Sequence, residues 1–232
     1  MKKKVILFVV SLFILVGAAG IVYYYYYENT NYVTTKDARI SANLVNVSPA
    51  ITGKVTAWNV NEGDSVKAGS NLGWQDTGTL ATSAGINTTS LNSVGSIMVN
   101  RSEITAPISG EVIKSNVEEG QIVSPGQTLA IIADTKDLFV SANIEETKVN
   151  QLKVGQDVEI SIDSLNGKTV LGKIDQMGRA TVSTFSVLPS QSSNGSFTKV
   201  TQLVPIKIRF PEIKDLALVP GMSAEIKIHI KG

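Results

Sequence analysis

The chain has 232 residues, no cysteine, one histidine and a formal net charge of +1. The absence of cysteine excludes disulfide scaffolds, thiol nucleophiles and cysteine-based metal sites. One histidine without cysteine cannot assemble a zinc peptidase or a Cys/His protease. Lys2, Lys3 and Lys4 supply three of the 21 basic residues, which leaves 18 against 20 acidic residues in the rest of the chain. No basic field is therefore available to recruit nucleic acid.

Residues 1–27 have the pattern of a cytoplasmic tail followed by a membrane anchor. Behind the three lysines, an apolar run of 18 residues extends from Val5 to Val22, and as a helix it would reach about 27 Å, close to the thickness of a bilayer core. A tyrosine belt follows, formed by Tyr23, Tyr24, Tyr25, Tyr26 and Tyr27, and tyrosine favours the membrane interface. We expect a single-pass plasma-membrane protein with its N-terminus in the cytoplasm and the bulk of the chain outside. The alternative is a cleaved signal peptide, because residues 16–20 include the small residues Gly17, Ala18, Ala19 and Gly20.

An internal repeat follows the predicted linker and entry strand at residues 28–45. Residues 51–72 and 108–129 align without a gap, and each copy reads I-x-G-x-V-x(4)-V-x-E-G-x-x-V-x-x-G-x-x-L. Neither copy could bury its apolar face alone, so we expect both to interdigitate in one small sandwich over residues 46–135. We assign the repeated glycines to its structural turns: Gly53, Gly63 and Gly69 in the first copy, and Gly110, Gly120 and Gly126 in the second.

The repeat resembles the lipoyl/biotinyl barrel-sandwich hybrid, whose halves carry the same EG-x-x-V-x-x-G-x-x-L spacing. In carrier domains of this type, a modified lysine lies between the halves. The corresponding connection here, residues 75–102, contains no lysine, and Arg101 is its only basic residue. The sequence thus disfavours a lipoyl or biotin carrier and predicts no cofactor. The connection has few charges and no heptad pattern, so we expect a loop.

Residues 136–232 are predicted to form a small β-barrel. Alternating apolar residues mark strands near residues 158–162, 204–208 and 226–230. Asn166-Gly167 predicts a two-residue hairpin, and Glu145–Leu152 is the one helical candidate. His229 is expected to be a solvated surface residue, and the adjacent acidic pair Glu118-Glu119 to be part of a solvated turn. The predicted fold is therefore all-β with one N-terminal transmembrane helix: a split lipoyl-like sandwich followed by a barrel.

The order of these parts resembles the HlyD-like membrane fusion proteins, also called periplasmic adaptors, and most closely their EmrA-type multidrug efflux branch. Four stretches carry the resemblance: 35–53, 103–135, 138–156 and 180–206, the last together with residues 220–223. Family members place a long α-helical hairpin between the lipoyl halves, where this chain has only the 28 residues from Gln75 to Ser102. The missing hairpin puts an outer-membrane channel in doubt as a partner and favours a cell with a single membrane.

The resemblance implies a non-enzymatic adaptor that assembles with a polytopic exporter of the plasma membrane, of the major-facilitator type, and that forms homo-oligomers. Phe185, Leu188 and Pro189 are apolar residues in polar surroundings. They are candidates for the partner contact, with packing at the end of the barrel as the alternative. The competing function is a free-standing binding or structural module of the cell surface.

Overall fold

The computed structural model describes residues 2–76, 103–165, 168–185, 201–211 and 218–230; the side chains of residues 2–10 and of Phe185 are not included. The chain divides into two compact units, one formed by residues 1–41 with 139–232 and the other by residues 42–138. The elements in chain order are α1 (Lys2–Asn31), β1 (Tyr32–Ser41), β2 (Leu44–Val47), β3 (Gly53–Trp58), β4 (Ser65–Val66), β5 (Asn71–Asp76), β6 (Glu103–Thr105), β7 (Gly110–Ser115), β8 (Ile122–Val123), β9 (Ala130–Ala133), β10 (Phe139–Glu145), α2 (Glu146–Val149), β11 (Asp157–Ile162), β12 (Thr169–Met177), β13 (Leu203–Arg209) and β14 (Ser223–His229).

The unit of residues 42–138 contains two four-stranded antiparallel sheets, with strand orders β2-β9-β7-β4 and β6-β5-β3-β8. The short strand β4 belongs to the first copy of the repeat but pairs with β7 of the second, and β8 of the second copy pairs with β3 of the first. The predicted interdigitation is therefore confirmed. The repeated apolar positions form one core, which contains Val55, Val66 and Leu72 and their counterparts Val112, Val123 and Leu129.

Main-chain hydrogen bonds between the copies repeat with the same symmetry. Gly63 N donates to Val112 O, and its counterpart Gly120 N donates to Val55 O, both at 2.8 Å. The repeated glutamates act in the same way: Glu62 Oε1 accepts from Ser115 N at 3.1 Å, and Glu119 Oε1 accepts from Trp58 N at 3.2 Å. Glu119 is thus more than the solvated turn residue that the sequence indicated, because its carboxylate binds a strand of the other copy.

Repeated glycines serve two different purposes. Four of them adopt left-handed backbone conformations at turns, with φ of 91°, 79°, 90° and 88° at Gly63, Gly69, Gly120 and Gly126. Gly53 and Gly110 are not turn residues, because they begin β3 and β7. A Cβ at Gly53 would lie 2.7 Å from Asp76 O, and a Cβ at Gly110 would overlap Ala133 O. These two glycines therefore allow neighbouring strands to approach closely.

The connection between the two copies joins neighbouring strands of one sheet. β5 and β6 are antiparallel, with Trp74 opposite Glu103. Gln75 and Asp76, which the sequence placed in the loop, are the last residues of β5, and Gln75 is buried with its Nε2 donating to Ile51 O. The rest of the predicted loop, residues 77–102, lies outside the described residues.

Six antiparallel strands of the other unit form a closed barrel in the order β1-β10-β13-β12-β11-β14. Its core is formed by inward side chains from all six strands, mainly isoleucines: Ile40, Ile144, Ile160, Ile162, Ile174, Ile206, Ile208, Ile226 and Ile228. Gly172 is also buried in this core. Ile160 and Ile208 occupy the space that a side chain at this position would need.

In the structure, residues 28–45 contain the end of α1, the barrel strand β1 and the start of β2, in place of the predicted linker and entry strand. α1 continues to Asn31, and β1 fills the place between β14 and β10 that closes the barrel. Its inward residues Val33 and Ala38 are an odd number of positions apart, which conceals the alternation. A β-bulge between Thr35 and Ala38 restores the phase.

Two local predictions in the barrel were wrong in detail. The helix expected over Glu145–Leu152 is the single turn of α2, ahead of a turn in which Gly155 has φ of 93°. β11 and β12 do form a hairpin, but a 3-10 turn at Asp163–Leu165 precedes Asn166-Gly167, so the connection is longer than two residues. Residues 166–167 themselves lie outside the described part of the chain.

α1 is 30 residues long, and its apolar and tyrosine side chains between Leu12 and Tyr27 are largely exposed. Within the residues that the structure describes, no helix combines the length and hydropathy that a membrane crossing requires. The membrane anchor therefore stays a prediction.

The two classes of glycine predict different responses to alanine. Gly110→Ala should lower the free energy of unfolding of the sandwich by about 3 kcal/mol, because β7 and β9 must separate to admit a Cβ. Gly63→Ala has open space around its Cβ and should cost only about 1 kcal/mol of backbone strain. Urea unfolding followed by tryptophan fluorescence reports this unit, since Trp58 and Trp74 both lie in it. Equal losses in the two variants would contradict the assignment.

Candidate functional site

The junction between α1 and the barrel has no connecting residues, because Asn31 ends the helix and Tyr32 begins β1. Two side chains bond back to the last turns of the helix: Thr30 Oγ1 donates to Tyr26 O at 2.7 Å, and Asn31 Nδ2 donates to Tyr27 O at 2.8 Å. Asn31 O accepts a hydrogen bond of 2.9 Å from Ile230 N, directly after β14. The end of α1 is therefore fixed to the barrel through the main chain.

Lys227 connects the two elements through its side chain. Its Nζ lies 2.6 Å from Glu28 Oε1 on α1 and 3.9 Å from the centre of the Tyr32 ring on β1. Both side chains of the ion pair are about two-thirds buried, so solvent screens the pair less than a fully exposed one. The hydrogen bond to Glu28 raises the pKa of Lys227 above its ordinary value, and the nearby charge of Glu159 adds to this effect.

His229 extends the same cluster onto a third strand. Its Nε2 lies 2.9 Å from Glu159 Oε1 on β11, and its ring packs edge-on against Tyr32 at 4.9 Å between centroids. The expectation that His229 is a solvated residue was therefore wrong, since it is partly buried and bonded. We call the five residues Glu28, Tyr32, Glu159, Lys227 and His229 the junction cluster.

The junction cluster has the chemistry of a structural contact and not of a reaction centre. Its two carboxylates are each bonded to a nitrogen, and it contains no serine, threonine or cysteine that the histidine could activate as a nucleophile. In the part of the chain that the structure describes, no three His, Asp or Glu side chains are placed to bind a metal ion. The arrangement can hold a helix at a defined angle to a barrel.

The residues that the sequence predicted as functional are not in the junction cluster. The tyrosine belt lies on α1 and is exposed, and Phe185 ends a 3-10 turn at Val182–Phe185. Leu188 and Pro189 lie outside the described residues, so their predicted partner contact stays a prediction. Glu28 and Lys227 were missed, because their proximity follows from the pairing of β1 with β14, which no local pattern reveals.

Comparison with known proteins agrees with this architecture. Residues 43–135 match the family described as RND MFP, barrel-sandwich hybrid domain, and residues 137–229 match the AAEA-like beta-barrel domain. YhbJ of Bacillus subtilis (strain 168), which is provisionally named as a component of an efflux system, is 36% identical over 95% of this chain and 90% of its own length. The chain belongs to the membrane fusion protein family.

Other members and structures support the fold of this membrane fusion protein. The multidrug export protein EmrA of Haemophilus influenzae is 34% identical over 60% of this chain, but the match covers only 37% of EmrA. A MacA-MexA chimera that contains the Pseudomonas aeruginosa MexA alpha-hairpin domain has a TM-score of 0.65 and 24% identity, covering 87% of this chain and 82% of the chimera. Proteins of this family are non-enzymatic adaptors, and the predicted family and the predicted sandwich and barrel are confirmed, whereas the transmembrane helix stays a prediction.

Removing the amine of the junction cluster should weaken the barrel alone. Lys227→Met leaves the stem of the side chain but deletes the ion pair and the cation–π contact, so we expect a loss of about 1 kcal/mol in the free energy of unfolding. Circular dichroism of the barrel transition measures it, and tryptophan fluorescence of the other unit is the internal control. The exchange Glu28→Lys with Lys227→Glu should recover part of the loss. A double variant no more stable than Lys227→Met would count against the ion pair.

The raised pKa of Lys227 also predicts how this contribution depends on pH. A group with a raised pKa in the folded state contributes its full stabilisation below its unfolded pKa, near 10.5, and loses it as the pH rises through the folded value. The stability difference between the wild type and Lys227→Met should thus be constant from neutral pH up to 10.5 and vanish at more alkaline pH. A difference that falls before pH 10.5 would point to another titrating group.

Proposed function

We propose that this chain is the adaptor subunit of an efflux system, anchored in the plasma membrane by α1 and positioned beside a polytopic exporter of drugs or other small molecules. The similarity to YhbJ carries the proposal, because it extends over 95% of the chain and includes both domains. The chain spans only about a third of the longer EmrA-type relatives, so a multidrug substrate is an inference from their names.

The proposed anchor is supported by the amino-acid pattern of α1. Lysines precede its apolar segment, and the tyrosine belt follows that segment four residues before Asn31. In a bilayer, lysines on one side and interfacial tyrosines on the other would orient the barrel and the sandwich to the outside. The bulk of the chain would then lie outside the plasma membrane.

Energy for transport would come from the partner. The chain has no phosphate-binding glycine loop, since the sequence Gly167-Lys168-Thr169 follows a strand and lacks a glycine five positions earlier, at Ile162. We infer a proton-driven exporter of the major-facilitator type, which the EmrA-type resemblance implies, and self-association of the adaptor around it. The short connection between β5 and β6 gives no support to contact with an outer-membrane channel.

Affinity purification of the tagged full-length chain from native membranes tests this function. We expect a polytopic exporter to be recovered at comparable abundance, because the adaptor and the exporter act as one assembly. The control is the variant with Leu12→Arg and Leu15→Arg, which interrupts the apolar segment and should lose the exporter. Recovery of the unaltered protein alone from membranes would instead support a free-standing surface module.

The predicted contact at Phe185, Leu188 and Pro189 can be tested in the same assay. The double variant Phe185→Ala and Leu188→Ala should recover less exporter, because truncated apolar anchors at an interface typically cost more than 1 kcal/mol, or about five-fold in affinity. Leu171→Ala is the matched control, since Leu171 is exposed on β12 outside this loop. Unchanged recovery with both variants would leave packing at the end of the barrel as the role of these residues.

A further inference from the structure

A hollow of about 600 Å³ opens on the barrel next to the end of α1. It lies between the turn that precedes β11, the first residue of β11, the middle of β12 and Ile230. Lys153, Val154 and Gly155 form one wall, and Asp157 and Lys173 form another. The function proposed above assigns no role to this hollow.

The junction fixes the position of the hollow along α1. Ile230 lines the hollow, and the same residue donates its main-chain N–H to Asn31 O at the end of the helix. Asn31 lies four residues beyond Tyr27, which is about 6 Å along a helix. A headgroup layer is about 5–8 Å thick on each side of the hydrocarbon core. With the tyrosines at the interface, the hollow would lie at the level of the lipid phosphates.

The lining of the hollow carries more positive than negative charge, which favours the binding of an anion. Lys173 Nζ is paired with Asp157 Oδ1 at 2.9 Å. Lys153 is exposed, and among the described residues no carboxylate lies within ion-pair distance of its ammonium group. Two lysines therefore face a single carboxylate, and a phosphate between them would complete the balance.

The rim next to Lys153 is apolar. Val154 is 62% exposed at the tip of the turn, where Gly155 has φ of 93° and Gly155 N donates to Ile174 O. An exposed valine is unfavourable in water but suits the boundary between headgroups and acyl chains. The turn thus offers an apolar side chain beside an ammonium group, and an anionic lipid has both complementary parts.

We infer that this hollow binds the phosphate headgroup of an anionic lipid in the outer leaflet, with Lys153 and Lys173 on the phosphate and Val154 entering the headgroup layer. The inference rests on the proposed anchoring by α1. Its consequence is a barrel held against the bilayer surface at two points, the helix and the hollow. The angle between barrel and membrane is then set before any exporter binds.

Spin labels can test this directly, because the chain contains no cysteine and single cysteines can be introduced without a background. The full-length chain with Val154→Cys is labelled and placed in nanodiscs of phosphatidylcholine alone or with phosphatidylglycerol. Power saturation then measures the access of a water-soluble nickel chelate to the label. Val219→Cys is the matched control, since Val219 is an exposed valine at the opposite end of the barrel, near Ile40.

The expected result is protection of position 154, but not of position 219, in discs that contain phosphatidylglycerol. Adding Lys153→Gln should lower the occupancy of the hollow about five-fold and remove most of that protection. Protection that is equal in both lipid compositions, or absent from both, would overturn the inference. Protection that inorganic phosphate produces in discs of phosphatidylcholine alone would identify a free-anion site and overturn the assignment to lipid.

A third label position separates this inference from the proposed anchor. In a chain with Leu15→Cys, access of oxygen without access of the nickel chelate would place α1 inside the bilayer. If position 15 is protected and position 154 is not, the headgroup site is wrong while the anchor stands. If position 15 is open to the chelate, the anchoring itself is wrong, and the lipid site fails with it.

Discussion

Each copy of the repeat lacks one strand of its own sheet, and the rest of the sandwich depends on this deficiency. β3 and β5 of the first copy are completed by β8 of the second, and β7 and β9 of the second by β4 of the first. The exchanged strands β4 and β8 have only two residues each. Neither copy alone contains enough strands to form a stable sheet. The two halves must fold together, and the paired turns that donate to Val55 O and Val112 O are the points where they meet.

In the other unit, the direct connection of α1 to β1 restricts the orientation of the barrel relative to the helix. A flexible linker after α1 would let the barrel adopt many orientations. Here the main-chain bond from Ile230 to Asn31 and the ion pair between Lys227 and Glu28 remove that freedom. Each contact is individually modest, but together they join two strands and a helix. For an adaptor, a defined orientation reduces the entropy that assembly with a partner would otherwise cost.

The sequence predicted the features that arise from local periodicity. The repeat revealed the sandwich, because identical spacing of valines and glycines requires identical strands and turns, and alternating isoleucines revealed the barrel. The sequence did not reveal the features that depend on contacts between residues far apart in the chain. The place of β1 in the barrel was missed, because a bulge shifts its alternation, and the roles of Gly53 and Gly110 depend on which strand lies next to them. Glu28 and Lys227 are 199 positions apart, so only the closure of the barrel brings them together.

The join between β5 and β6 has a consequence for how such proteins diversify. Its two ends, Asp76 and Glu103, leave from neighbouring antiparallel strands, so the segment between them begins and ends at nearly the same point. Doubling the length of such a segment costs only about 0.6 kcal/mol of closure entropy. The length of this segment can therefore change between family members without a change in the two sheets that carry it, and this chain can share the same sandwich with longer relatives.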